Sequence, residues 1–239
     1  MSKRRELIVR RKAQQQKQTL IILGVIGVLF LLIVGGAIIL SARSNAPRTL
    51  VTVNNPPPAN AEKNGRAWGP ADAPIKIVEF VDMQCPGCGQ YVKAIEPSVI
   101  STFAKTGLVR YEVRMLSFIG QESKDAAKAA LCAMDQDKFW QMHDTIFANQ
   151  GAAENAGAFS NSNLKAMARS IGVDTVTFDS CLDSAKYDTV INQDRDEGTA
   201  AGVDQTPTTV INGKKSIAVM GPDDLKRAFA EIAPDVKFP

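Results

Sequence analysis

The chain has 239 residues, of which 45% are hydrophobic and 22% charged, enough for one folded domain plus additions. Its net charge of +3 sits in the first residues. Lys3, Arg4, Arg5, Arg10, Arg11, Lys12 and Lys17 face one acid, Glu6, and the rest of the chain is near −3, which leaves no basic face for nucleic acid.

Residues 1–18 read as a basic cytoplasmic tail. From Leu20 to Leu40 no residue is charged, about the length that a helix needs to cross a bilayer. A transmembrane anchor over 19–42 is therefore expected. The preceding Lys/Arg cluster would stay inside and send the C-terminal part out. The alternative is a cleaved signal peptide, with small residues at Leu40-Ser41-Ala42. No GxxxG spacing marks a helix-dimer face. Residues 43–66 read as a linker, stiffened by Pro56-Pro57-Pro58. A folded domain is expected over 67–239.

Ile75–Val81 reads as a buried strand. A helix is expected from Pro86 to about Lys105, kinked or broken at Pro97. Leu108–Leu116 alternates and reads as a second strand. A long helical stretch follows over Ser123–Gln150. Asn161 or Ser162 would cap a helix over Leu164–Ile171 that stops at Gly172, and Phe178–Ala201 is again helical. Thr208–Ile211, the turn Asn212-Gly213 and Ser216–Met220 predict a β-hairpin. Gly221-Pro222 opens a last helix to about Ile232. The order is β-α-β, a helical block over about 121–201, then β-β-α. Without the block this is the thioredoxin arrangement, an α/β fold with its insertion between the second and third core strands.

Cys85-Pro86-Gly87-Cys88 lies where the first strand hands over to a helix. Backbone N–H groups at a helix start favour a thiolate at Cys85, while Cys88, one turn in, is less accessible. Cys85 is then the sulfur that substrate attacks, and Cys88 the one that closes the internal disulfide. The rival readings are a structural disulfide or half a metal site. Zinc needs further ligands, and Cys132, Cys181 and the single histidine, His143, are not paired at close spacing. No metal is expected. Pro86 suits the first helical turn. Pro86-Gly87 supplies neither a donor nor a charge to the thiolate. Four cysteines permit three pairings. The CxxC spacing favours 85–88, which leaves Cys132–Cys181 as a structural disulfide, with two reduced buried thiols as the alternative. Closing that loop of about 50 residues is worth ~4 kcal/mol on the chain-entropy account. No phosphate-binding loop, dinucleotide fingerprint or nucleophile elbow is present, and no cofactor is expected.

Glu79-Phe80-Val81-Asp82-Met83-Gln84-Cys85-Pro86-Gly87-Cys88, Phe139-Trp140-Gln141-Met142-His143-Asp144 and Gly202-Val203-Asp204-Gln205-Thr206-Pro207-Thr208 stand in this order along the chain. Together they resemble the DsbA-like thiol oxidoreductases, in their membrane-anchored bacterial, BdbD-like branch. The likeness runs from about Trp68 to the end. It implies a buried acid at Glu79 that relays a proton for Cys88, and a cis-proline loop at Thr206-Pro207 beside the disulfide. The histidine frequent between the two cysteines in that family is absent, which lowers the expected oxidising power.

These readings predict a single-pass cell-membrane protein whose extracytoplasmic domain donates the Cys85–Cys88 disulfide to thiols of exported proteins. Its implied partner is a separate quinone-linked membrane reoxidase of DsbB or vitamin K epoxide reductase type. A reductase or isomerase of the same fold, a binding or chaperone module and a metal carrier are the alternatives.

Overall fold

The computed structural model describes residues 23–36, 49–53, 55–216 and 221–237. The predicted basic tail, both ends of the predicted anchor, part of the linker and residues 217–220 lie outside them. Helix α1 covers 23–36 and belongs to a first unit, Met1–Ala46. Among the described residues no helix is long and apolar enough to cross a membrane. All other elements belong to a second unit, Pro47–Pro239.

The second unit is built on a five-stranded sheet in the order β1-β3-β2-β4-β5. β2 (Ile75–Val81) runs parallel to β3 (Val109–Met115) and antiparallel to β4 (Thr208–Ile211). β1 (Ala67–Trp68) adds antiparallel to β3, and β5 (Lys214–Ser216) antiparallel to β4. The two-residue β1 carries no alternation that a sequence pattern could reveal. It is held by Trp68, fully buried and stacked on Tyr111 with ring centroids 5.1 Å apart. The hairpin at Asn212-Gly213, with φ of 47° and 78°, pairs Ile211 with Lys214. The second strand thus starts two residues before the predicted Ser216, because a two-residue turn returns the chain at once.

β2 is central and buried on both faces, so its alternation is hidden in the sequence. Ile75, Ile77 and Val81 enter the large core with Cys88, Tyr91 and Val113. Phe80 enters a smaller one with Leu116, Val203 and Val210. Alternation along the strand puts Glu79 on the side of Ile77 and Val81.

The expected interruption near Pro97 divides this segment into α2 (Pro86–Ala94) and α3 (Glu96–Phe103), with the break at Ile95. Pro97 sits in the first turn of α3, where a missing N–H costs nothing. The insertion comprises α4 (Gln121–Met134), α5 (Phe139–Ala148), α6 (Asn161–Ser170), α7 (Thr175–Leu182) and α8 (Asp188–Ala200). The predicted 123–150 stretch is two helices because Asp137 turns left-handed, with φ 60°. α6 starts at Asn161 with Ser160 as its cap residue, one or two positions before the predicted caps, and Gly172 (φ 75°) follows its end. The predicted 178–201 helix is broken after Leu182 into α7 and α8. Arg66 grips Asp194 of α8 with both terminal nitrogens, and Asp194 also accepts from the Met115 amide at 3.0 Å. α9 (Pro222–Ile232) packs Phe229 edge-on against Phe103.

Candidate active site

β2 ends at Val81, and the next four residues carry the chain to Cys85, the cap residue of α2. Asp82 holds this turn. It is fully buried and accepts four hydrogen bonds, from the amides of Gln84 (2.8 Å), Phe118 (2.9 Å) and Ile119 (3.0 Å) and from the Ser123 hydroxyl (2.6 Å). Gln84 donates to Ser123 Oγ and Asn155 Oδ1 and accepts from the Asn155 amide. Gln150 donates to the carbonyls of Met83 and Cys85 at 2.9 and 3.0 Å. The loop before the first cysteine is thus tied to α4, to the end of α5 and to the 155 segment.

Cys85 and Cys88 are both free thiols, Cys85 half-buried and Cys88 buried. The Cys85 thiol donates to the Thr206 carbonyl at 3.2 Å. The Thr206–Pro207 peptide is cis, as expected. A Cβ on Gly87 would stand 3.4 Å from Pro207 Cδ and 3.6 Å from Cys85 Sγ, so the Pro86-Gly87 turn lies directly against this loop. Among the predicted residues, the fold brings Cys85, Pro86, Gly87, Cys88, Thr206 and Pro207 together.

The two thiols differ sharply. A hydrogen bond from the Cys88 thiol is the largest cause that lowers Cys85 from the ordinary 9.0 to about 6. Burial opposes the fall, while the Thr206 side chain and the amides of Cys88 and Gly87 assist it. Burial, and then the Cys85 sulfur, push Cys88 far above the usual thiol range. At neutral pH the pair is a thiolate beside a thiol. Such a pair can attack, or be attacked, at one sulfur only.

The profile of the thioredoxin family matches residues 61–231. The chain belongs to the thioredoxin family. It is 33% identical over 149 residues to a Na(+)/H(+) antiporter NhaA 1 of Salinispora arenicola, which covers 62% of this chain but 21% of that protein. The chain thus spans about one fifth of the length of that relative. It is 28% identical over 167 residues to a probable disulfide bond formation protein D of Bacillus cereus, covering 69% of this chain and 76% of that one. Oxidised BdbD of Bacillus subtilis superposes with a TM-score of 0.64 at 24% identity, over 77% of this chain and 98% of that one. The fold is therefore DsbA-like, a thioredoxin core with a helical insertion.

Two predicted residues of this thioredoxin-family chain lie in a second place. Cys132 of α4 is bonded to Cys181 of α7, Cα–Cα 5.8 Å, and joins two helices of the insertion. Glu79 lies under α2 with 1% of its surface exposed, and its Oε1 has no hydrogen-bond partner among the described residues. Burial, and then the charge of Glu96, raise its carboxyl well above the usual range.

Glu79 has titratable company that its own segment does not announce. Tyr91 of α2 is buried, 3.4 Å hydroxyl to hydroxyl from Tyr111, and is raised by burial, then by Glu79 and Glu96. Glu96 opens α3, and burial raises it to about 7 despite the opposing charge of His143. His143, on α5, is buried among the rings of Phe139, Trp140 and Phe147 and is raised by Glu96 and Asp144 against the effect of burial. Asp82, Gln84, Gln150 and Glu96 escape a reading of the sequence because each acts across 36 residues or more of chain. An acid two residues before the reactive motif's neighbour Gln84 was the one local signal available.

Proposed function

We propose that this chain is a thiol:disulfide oxidoreductase that donates a Cys85–Cys88 disulfide to thiols of exported proteins. A substrate thiolate attacks the Cys85 sulfur, the Cys85–Cys88 bond breaks, and its electron pair goes to the Cys88 sulfur. Burial makes a Cys88 thiolate costly, so that sulfur takes up a proton as it leaves. Glu79, its carboxyl pKa raised by burial and lying on the same side of β2 as the Cys88 face of α2, is the donor in this reading. A second substrate thiolate then attacks the mixed disulfide. The substrate leaves oxidised, and Cys85 leaves as a thiolate, a good leaving group with its pKa near 6. Reaction of one disulfide with two thiols yields one disulfide and two thiols, so no resident cofactor is needed. The reduced pair then passes its electrons to a separate membrane reoxidase, quinone-linked and of DsbB or vitamin K epoxide reductase type.

The observation that carries this reading is the pairing of a thiolate-prone Cys85, set against the Thr206-Pro207 loop, with a buried Cys88 one turn on. The relatives named disulfide bond formation protein D support the oxidase direction. The Thr206 backbone beside Cys85 offers a place for an extended substrate segment. Cys132–Cys181 has a structural role in this reading, bracing the insertion.

In the full chain, residues 1–18 form a cytoplasmic tail, 19–42 a membrane anchor, 43–66 a linker and 67–239 the extracytoplasmic domain. The exposed apolar side chains of α1, among them Phe30 at 64% and Ile33 at 70%, support an apolar surrounding for this segment.

The experiment is trapping. A Cys88→Ala chain expressed in cells should accumulate mixed disulfides through Cys85 with exported proteins, and the oxidised wild type should regain the activity of a reduced, unfolded secreted enzyme. A reduction potential near that of thioredoxin, about −270 mV, would favour the reductase reading. No trapped partner and no transfer of the disulfide would end the proposal.

A further inference from the structure

Glu96 lies in the first turn of α3, and His143 and Asp144 lie in the middle of α5. One ligand atom from each falls within 4.8 Å of the other two. Nδ1 of His143 is 3.0 Å from Oδ1 of Asp144. The other Asp144 oxygen accepts from Asn55 Nδ2 at 2.8 Å. Glu96 and His143 are 3% and 0% exposed, yet Oε1 of Glu96 and Nε2 of His143 have no hydrogen-bond partner among the described residues. Glu96 and Asp144 also line a cavity of about 720 Å³, walled on one side by Asn55 and Pro56-Pro57-Pro58.

We propose that Glu96, His143 and Asp144 bind a divalent transition-metal cation of the zinc class, separate from the two thiols. The rival account is an imidazolium that merely neutralises a carboxylate. That account leaves a buried Glu96 oxygen bare, at a cost of about 1–3 kcal/mol. A divalent cation in place of the histidine proton gives two carboxylates, a neutral imidazole and a charge of zero.

The ligand set fits such an ion. One nitrogen and two carboxylates suit zinc, whereas calcium and magnesium prefer oxygen alone. Zinc bonds of about 2.0–2.2 Å put ligand atoms roughly 3.5 Å apart, so closure needs movements of about 1 Å. Phe139, Trp140 and Phe147 already hold the imidazole ring, and Asn55 orients Asp144 as an outer partner does at known zinc centres. The cavity supplies an entry path and room for a water as fourth ligand. A lone histidine in the sequence argues against metal. The fold overrides that by carrying Glu96 to it from another helix.

The test uses the full chain with Cys85–Cys88 oxidised, so that no thiolate competes. Titration with Zn²⁺, followed by calorimetry and metal analysis, should give one ion per chain and a rise in Tm. Co²⁺ in its place should show visible ligand-field bands without thiolate charge transfer. Glu96→Gln and Asp144→Asn should each weaken Zn²⁺ binding by about 100-fold. Asp144, at the cavity wall and 21% exposed, still decides if the Glu96 variant fails to fold. Zinc taken up only by the reduced chain, no zinc taken up at all, or binding equal in wild type and both variants would overturn the proposal.

Discussion

Thr206→Val removes a hydroxyl while keeping the shape of the loop beside Cys85. Thr206 Oγ1 is buried and has no hydrogen-bond partner among the described residues while Cys85 is a thiol that donates to the carbonyl of the same residue. Once the thiol ionises, that hydroxyl becomes a donor to the thiolate. It is one of four groups that lower Cys85 from 9.0 to about 6. The whole fall is roughly a thousandfold in ionisation, or about 4 kcal/mol before screening. Cys85 is half-buried, and solvent takes a large share of that, so about 2 kcal/mol is the usable magnitude. One donor among four is then worth on the order of 0.5–1 kcal/mol. In the variant the Cys85 pKa should rise by about 0.4–0.7 and the reduction potential should drop by about 10–20 mV. The sign follows because the thiolate exists only in the reduced form. Destabilising it weakens the oxidant. The folded pKa lies below the unfolded one, so this stabilisation of the reduced form is complete above the unfolded value. It fades as pH falls through about 6, and the two proteins should converge in acid. Iodoacetamide alkylation rates against pH give the pKa, and equilibration with glutathione gives the potential. A wild-type Cys85 that titrates near the free-thiol value of about 8.5, or a variant indistinguishable from it, would refute the reasoning.

Glu79→Gln removes the buried acid with little change of shape. Release of Cys88 should slow by on the order of 100-fold in stopped-flow reduction of the oxidised chain, with the pKa of Cys85 left within a few tenths. Stability of the wild type should fall more, or rise less, with pH than that of the variant. Glu79 is raised in the fold, so its contribution is present below the ordinary glutamate pKa and is lost as pH climbs through its folded pKa, a loss that the variant lacks. Cys132→Ala with Cys181→Ala opens a loop with 49 residues of separation and should cost about 2–4 kcal/mol in urea unfolding, with the potential of Cys85–Cys88 unchanged. Asp82→Asn keeps the volume but turns one acceptor oxygen into a donor facing N–H groups. A loss of about 1–3 kcal/mol, together with a slower reaction at Cys85, is expected from denaturation and alkylation measurements. Arg66→Ala leaves Asp194 buried at 2% exposure and should destabilise by about 3–5 kcal/mol.

Local chemistry wrote much of this molecule into its sequence. The apolar run Ile75–Val81, the helix-opening Pro86, the break near Pro97, the turn Asn212-Gly213 and the paired cysteines are each decided within a few residues. Dihedral preference and alternation act over that range. Cys85 as the thiolate followed from its place at a helix start, since backbone N–H groups there point at whatever precedes them. Other features needed the folded chain. Both faces of β2 are buried, so only packing decides that Glu79 looks toward α2 and Phe80 away from it. Asp82 draws its donors from residues 118, 119 and 123, and Gln150 reaches back to Met83 and Cys85. Glu96 meets His143 only because α3 and α5 come together. Burial and long-range charge are properties of the three-dimensional neighbourhood, and a linear pattern of residue types carries no measure of either.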